Sequence, residues 1–419
     1  MFKSLSKESL QVFLLKDYRN FVLGRFLLTL AIQMQMTTIG LQAYYEYGKD
    51  YFVLGLVSLF EAIPFIISCF FAGHAADVYS RRKIILIGTF CLLLGSVLLY
   101  AFCLPSFRFL KEYSYYPLLS VVVIFGVTRA FLASSMAPFM SQLTERSMYT
   151  HAATWNSTFW HIGAILGPVV AAGIYGYNNE LNAKATYLVN CLLFVAGAIA
   201  FLRISEKATE RSKEETIMES LKAGLKFVFK TKMLLSALSL DLFAVLFGGA
   251  VVILPAFNDQ ILHCDPEAFG LLRTSPAIGA VISALIMAFY PPRKKAGRDL
   301  LLGVIGFGIF TIAFAFCTNY WLAFFMLAMT GAFDNISVVV RHSILQLMTP
   351  DNMRGRVSAV NSIFIGSSNE IGGVESSIAA KAMGLVPSIV FGGGMTIITV
   401  AVINRLNKKL KKLDISKYQ

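Results

Sequence analysis

The sequence predicts an all-α integral membrane protein: twelve transmembrane helices in two parallel six-helix repeats, with both termini cytoplasmic. Three observations predict it. Hydrophobic residues make up 56% of the 419-residue chain and charged residues only 15%, against about 25% charged in an ordinary soluble domain. The charges fall in short clusters between long apolar stretches, each near the ~20 residues a helix needs to cross a bilayer. The second half of the chain also repeats positions of the first at a constant offset. The alternating period of an outer-membrane strand is not seen.

Residues 1–20 form a mixed, polar lead with Lys3, Lys7, Lys16 and Arg19. It lacks the apolar core and small-residue cleavage site of a signal peptide and reads as cytoplasmic. Helices are predicted at 21–45, 52–75, 84–104, 117–143, 152–176 and 184–203, which make an N-terminal half over 21–203. Residues 204–232 are a polar, charged linker with Glu206, Lys207, Glu210, Arg211, Lys213, Glu214 and Glu215. Helices at 233–257, 267–289, 300–318, 320–345, 356–380 and 384–405 make a C-terminal half over 233–405, followed by a basic tail at 406–419.

Lys and Arg set the orientation, because cytoplasmic loops carry the excess. The N-terminal lead, the loop with Arg81, Arg82 and Lys83, the linker, the loop with Arg293, Lys294, Lys295 and Arg298, the loop with Arg354 and Arg356, and the tail with Arg405, Lys408, Lys409, Lys411, Lys412 and Lys417 share one side. The other side holds Lys49, Arg108, Lys111, Lys184 and Lys381. The net charge of +13 is therefore a topology signal and not the footprint of a nucleic-acid partner. The Lys-rich tail either meets anionic lipid or is simply solvated.

The repeat has an offset of 205 residues, the step from Thr144 to Thr349. The same step carries Gly126 to Gly331, Met148 to Met353, Asn156 to Asn361, Ser157 to Ser362, Phe159 to Phe364 and Gly167 to Gly372. One ungapped offset across two helices and a loop implies a parallel duplication. In transporters so built, substrate binds between the halves near the midplane.

Catalysis finds no footing. There is no phosphate-binding glycine loop, no Ser/His/Asp cluster and no Cys/His spacing suited to a metal. Cys69, Cys91, Cys103, Cys191 and Cys317 lie in or at the ends of apolar helices and Cys264 in a loop, as expected of small packing residues.

The loop after the second helix reads Gly73-His74-Ala75-Ala76-Asp77-Val78-Tyr79-Ser80-Arg81-Arg82-Lys83. A glycine lets helices approach closely, an aspartate can face a helix N-terminus or an arginine, and a basic cluster anchors to lipid phosphate. The loop resembles the signature loop of the major facilitator superfamily, which implies that Gly73, Asp77, Arg81, Arg82 and Lys83 latch a cytoplasmic gate. Val78 and Ser80 depart from the family's usual basic residue and Gly, which weakens the expected latch. The fifth helix carries Gly163, Gly167 and Pro168. The glycines share one face, where tight crossing is possible, and the proline permits a bend. This resembles the helix-5 motif of the superfamily's exporters. Arg129 resembles its helix-4 arginine, linked there to proton transfer. The stretch Thr349 to Val357, with Leu254-Pro255-Ala256-Phe257 and Phe269-Gly270-Leu271-Leu272, resembles the branch containing the enterobactin exporter and macrolide efflux proteins. The resemblance implies a monomeric, proton-driven exporter of amphipathic small molecules, siderophores and drugs among them, in a bacterial inner membrane. The proton gradient is then the energy source, with no bound cofactor.

Ionisable residues inside a bilayer cost about 2.5–3.5 kcal/mol on insertion scales, so each needs a reason. Glu61, Arg129, Asp334 and Glu370 fall near the midplane of their predicted helices, and Asp241 toward one end. These five are the candidate proton-coupling residues, with structural ion pairing as the alternative. Arg129 and Asp334 occupy equivalent positions of the repeat and can face one cavity at similar depth. An apolar setting favours a neutral acid and a nearby guanidinium favours the carboxylate, so moving one past the other changes proton affinity. Arg25, Arg273 and Arg341 lie near helix ends, where snorkelling or structural pairing is the simpler reading. Glu375 and His161 are further titratable groups within predicted helices.

Candidate cavity residues are Gln33, Met36, Trp160, His161, Phe333, Asn335, Asn361 and Asn369; Met and aromatic side chains suit a pliable pocket for varied cargo. Ordinary helix packing is the competing account of each. Other functions open to the same fold are lysophospholipid or other lipid translocation and ferroportin-like divalent-metal transport. A transporter-shaped receptor without turnover is the reading from another class.

Overall fold

In the computed structural model, residues 10–107, 115–145, 148–177, 182–206, 217–249, 251–289, 295–350 and 353–414 are described, and every regular element among them is helical. The first six long helices are α1 (Lys16–Tyr45), α2 (Tyr51–Val78), α3 (Arg81–Phe102), α4 (Tyr116–Gln142), α5 (Tyr149–Tyr175) and α6 (Ala183–Leu202). An amphipathic helix, α7 (Ile217–Lys230), leads into α8 (Lys232–Gly248) and the short α9 (Leu254–Gln260). Then come α10 (Pro266–Phe289), α11 (Ala296–Ala315), α12 (Tyr320–Met348), α13 (Arg354–Met383) and α14 (Leu385–Leu406).

Ten of these helices are long and apolar enough to cross a membrane, and an eleventh span results if α7 and α8, bent by 102° at their junction, count as one. Helix α13 is not among them. It has 30 residues, but Asn361, Asn369, Glu370, Glu375 and a series of serines lower its hydropathy.

Two expectations are corrected. The helix predicted over 233–257 is two pieces, α8 and α9. Gly248 packs against the Phe307 ring, and at Gly249 the backbone leaves the helical region (ψ 63°). Pro255 suits the first turn of α9, where a missing N–H costs nothing. The apolar composition runs on through the break, so hydropathy does not reveal it. The segment 204–232 is also more than a polar linker. Its residues 207–216 lie outside the described residues, but α7 places Lys222, Lys226 and Lys230 exposed at four-residue spacing while Val228 is buried. At Gly224 a Cβ would come 2.8 Å from the Arg356 carbonyl oxygen, so α7 lies directly on α13.

The chain divides into two compact units, Met1–Tyr47 with Ile63–Glu214, and Gly48–Ala62 with Glu215–Gln419. In the first, α1 packs on α5 and α6, and α3 on α4 and α6. In the second, α8 packs on α13 and α14, and α11 on α12 and α14. These are the same pairings two hundred residues apart, as the sequence repeat requires. The start of α2 belongs to the second unit, where its Gly55 meets Ser377 of α13 and its Ser58 meets Gly373 of α13. Small residues let helix backbones approach where lipid supplies no hydrophobic drive.

Candidate functional site

The second unit holds a buried ion pair. Asp241 on α8 and Arg341 on α12 meet side chain to side chain, with relative exposures of 6% and 2%. Neither charge survives alone in such a place without a large desolvation cost. The same face of α12 carries Asp334 and Ser337, at spacings of three and four residues along the helix. The Ser337 hydroxyl, one turn along α12, is the polar neighbour that interacts with the Asp334 carboxylate. Among the described residues no Lys, Arg or His bridges Asp334. The sequence reading put Asp241 and Asp334 among the coupling residues but treated Arg341 as an end-of-helix charge.

Phe333 is stacked on Phe310, ring centroids 5.3 Å apart, and packs over Gly306 on α11. Its neighbour Asn335 has a buried side-chain nitrogen without a hydrogen-bond partner. On α13, Asn361 is buried with its side-chain oxygen likewise unmatched. Asn369 is exposed and donates to the Ile365 carbonyl (2.9 Å). The side chain of Glu370 lies outside the described residues. Ser376 lies 3.5 Å from the Glu375 carboxylate and 3.4 Å from the Gly249 carbonyl oxygen, which the break after α8 leaves without a helical partner. Glu61, near the middle of α2, is 3% exposed.

In the first unit, Arg129 on α4 lies over the Phe65 ring of α2, 5.6 Å from its centroid, a cation–π geometry. Gly163 and Gly167 face α1. At Gly163 a Cβ would stand 3.2 Å from Thr29 Cβ, and at Gly167 2.5 Å from Gln33 Cβ and 3.1 Å from the Leu30 carbonyl oxygen. At Gly372, the repeat partner of Gly167, it would stand 2.8 Å from the Leu246 carbonyl oxygen on α8. Helix α5 continues through Pro168 to Tyr175. Gln33 thus lies with its stem at a helix crossing, Met36 is half-buried, and Trp160 and His161 have ring centroids 4.9 Å apart.

The basic loop closes helix ends. Arg81 donates to the Ala76 carbonyl at 3.0 Å and the Pro138 carbonyl at 3.4 Å. Arg82 donates to the Phe201 and Leu202 carbonyls at the end of α6, at 3.3 and 2.7 Å. A guanidinium there satisfies orphan carbonyls and complements the helix dipole. Lys83 pairs with Glu206 at 3.0 Å, and its hydrogen bond and charge hold the Glu206 carboxyl below its usual range. Gly73 corrects the sequence reading: among the described residues no atom lies within 4 Å of where its Cβ would stand, so no close helix approach occurs there. The side chain of Asp77 lies outside the described residues.

Sequence reasoning missed a polar cluster at the start of α2. Lys49 pairs with Asp259 at 2.7 Å, Asp50 with Lys381 at 3.2 Å, and the Tyr51 hydroxyl donates to Gln260 at 2.6 Å. Asp50 also caps α2 by accepting from the Phe52 N–H at 2.9 Å. That bond, with the Lys381 ammonium, depresses its pKa. The signal was available as an Asp one residue before a helix, but its partners are more than two hundred residues away. Among the described residues no three His, Cys, Asp or Glu side chains form a group that could hold a metal ion.

The family model of the Major Facilitator Superfamily matches residues 21–373. The staphyloferrin A transporter of Staphylococcus aureus is 23% identical over 87% of this chain and 90% of its own length. The enterobactin exporter of Shigella flexneri is 23% identical over 69% of this chain and 67% of its own. The multidrug efflux pump Tap of Mycolicibacterium fortuitum is 23% identical over 86% and 88%. Among solved structures, a bacterial homolog of the human lysosomal transporter Spinster, inward-facing and unoccupied, superposes with a TM-score of 0.69 at 14% identity, covering 96% of this chain and 97% of that one.

Proposed function

The chain belongs to the Major Facilitator Superfamily and is a multi-pass membrane transporter, not an enzyme, and from that premise we propose that it is a proton-coupled exporter of amphipathic small molecules, siderophores first among them. Two relatives carry siderophore names and a third is a drug efflux pump, so the cargo class is a polar, metal-chelating or drug-like organic molecule. The proposed setting is a bacterial inner membrane, with the Arg- and Lys-rich loops and both termini cytoplasmic by the positive-inside asymmetry. Twelve spans are proposed: the apolar helices together with α8 and the polar α13. The protein works as a monomer, and the proton gradient drives it without a bound cofactor.

The observation that carries the coupling is the division of labour between two carboxylates on adjoining helices of one unit. Arg341 offsets the charge of Asp241. Asp334 has a hydroxyl for a partner, and a proton is the charge that would neutralise it in an apolar interior. In the proposed cycle Asp334 takes a proton from the outer side, and the loss of that charge within the membrane-spanning helix lowers the cost of reorganising α12. Proton release to the cytoplasm accompanies outward passage of cargo. Glu61 on α2 and Arg129 on α4 are the proposed partners of this step, and the polar and aromatic residues Gln33, Met36, Trp160, His161, Asn335, Asn361 and Asn369 are proposed to line the cargo path.

The test is the purified protein in liposomes holding a pH-sensitive dye, given a catecholate siderophore and then a macrolide. Proton movement opposite to cargo, lost in Asp334→Asn or Glu61→Gln, supports antiport. Cargo flux without any pH response overturns it.

A further inference from the structure

A groove of ≈580 Å³ runs between α8 and α14 in the second unit. One end is polar. Lys232 is exposed there, and the Asn407 amide donates to the Lys232 carbonyl at 3.3 Å and to the Ser236 hydroxyl at 2.9 Å, tying the two helices together. The remainder is apolar, walled by Phe243 and Phe247 on α8 and by Ile398 and Val402 on α14. These walls are not sealed: Phe243, Ile398 and Val402 are 39%, 53% and 48% exposed. From Lys232 to Phe247 a helix rises about 22 Å. That exceeds the ~15 Å half-thickness of a bilayer's hydrocarbon core, so the groove accommodates an acyl chain of one leaflet along its length.

The exposed charges described around the polar end are basic. Helix α7 turns away from α8 by 102° at the junction beside Lys232, and carries Lys222, Lys226 and Lys230 in an exposed row. Arg405, Lys408 and Lys409, around Asn407, are exposed too. Among the described residues no acidic side chain lines the groove. An amphipathic helix with a basic face is suited to lie in the headgroup layer, and that places the mouth of the groove at the depth of lipid phosphates.

We propose that this groove holds one anionic phospholipid of the leaflet facing the basic loops. Its phosphate sits at the exposed Lys232 ammonium, and an acyl chain lies along Phe243, Phe247, Ile398 and Val402. The lipid splints α8, the helix that carries Asp241, against α14. This inference rests on the membrane setting and not on proton coupling or cargo.

Native mass spectrometry of the full chain in a neutral detergent tests it, titrating phosphatidylglycerol against phosphatidylcholine of the same chains. The expected result is one retained phosphatidylglycerol, preferred about fivefold or more, as a single basic residue at an anionic headgroup provides. Lys232→Glu and Lys232→Gln should abolish the preference, and Ser239→Trp, which fills the groove, should displace both lipids. Melting curves of each variant show that it is folded. Equal retention of the two lipids overturns the proposal, as does a preference that survives all three variants. Displacement of the lipid-free signal by a siderophore or macrolide, with no retained phosphatidylglycerol, makes the groove a cargo site and overturns it as well.

Discussion

Asp241 and Arg341 stand a hundred residues apart in sequence and meet in the interior of the C-terminal unit, where each is almost wholly shielded from its surroundings. Their pairing ties α8 to α12. Removing one partner leaves a buried charge uncompensated, which typically costs about 3–5 kcal/mol. Asp241→Ala and Arg341→Ala should therefore each lower the melting temperature sharply. The double variant Asp241→Leu with Arg341→Met removes both charges at similar volume and should recover most of that loss, because apolar replacement of a buried pair is often neutral. Thermal melting of the purified proteins measures this. A double variant no more stable than the singles would show that the pair is not a closed electrostatic unit.

Ser337 bears on the proton step without carrying the proton. Its hydroxyl interacts with the Asp334 carboxylate, and losing a polar contact to a charged group costs up to about 1.5–3 kcal/mol. Ser337→Ala should retain expression and lower stability by no more than the loss of that polar contact, about 1.5–3 kcal/mol. It should shift the pH dependence of cargo-driven proton movement, because the ionised form of Asp334 loses its donor. Ser337→Thr keeps the hydroxyl and should behave as the unaltered protein. A pH profile that Ser337→Ala leaves in place would remove Ser337 from the coupling step.

What the linear sequence could show follows from the range of the interaction involved. Apolar runs of membrane-spanning length are local, and their placement agrees with the helices of the structure to within a few residues at most ends. The 205-residue offset was legible because Gly167 and Gly372 answer the same need, a backbone crossing with α1 in one unit and with α8 in the other. Arg341 was visible as a charge but not as a partner of Asp241, since the contact depends on how α8 meets α12. Gly73 shows the opposite failure: a small residue at a motif position reports that a close neighbour is permitted, not that one is there. The break at Gly248 and Gly249 was hidden because hydropathy continues through Val251, Val252, Ile253 and Leu254.

The glycines supply a controlled comparison. A methyl group at Gly167 would press on Gln33 and the Leu30 carbonyl of α1, and one at Gly372 would press on the Val245 and Leu246 carbonyls of α8, at 2.9 and 2.8 Å. Backbone cannot rotate away as a side chain can. Gly167→Ala and Gly372→Ala should each cost about 1–3 kcal/mol, the usual penalty for overpacking. Gly73→Ala should cost nothing measurable, or stabilise slightly by helix propensity. Melting temperatures of the three variants decide it, and equal effects at all three positions would contradict the crossing geometry.

The start of α2 predicts a pH dependence whose sign is fixed. The Phe52 N–H and the Lys381 ammonium both favour the ionised form of Asp50, so its folded-state pKa lies below the ordinary value of 3.8. The stabilisation is therefore complete above that value and is lost as pH falls through the folded-state pKa. The pair itself is about half exposed and is worth a fraction of a kcal/mol after solvent screening, whereas the helix cap contributes about 1 kcal/mol. Asp50→Ala should thus lower the melting temperature at neutral pH more than Lys381→Gln does. Both differences from the unaltered protein should shrink as pH drops below about 4, where the carboxyl becomes protonated. High salt should erase the Lys381→Gln effect and leave most of the Asp50→Ala effect, because screening acts on the exposed ion pair and not on the hydrogen bond to Phe52. Equal losses in the two variants at every pH and salt concentration would mean that the ion pair, and not the cap, holds the start of α2.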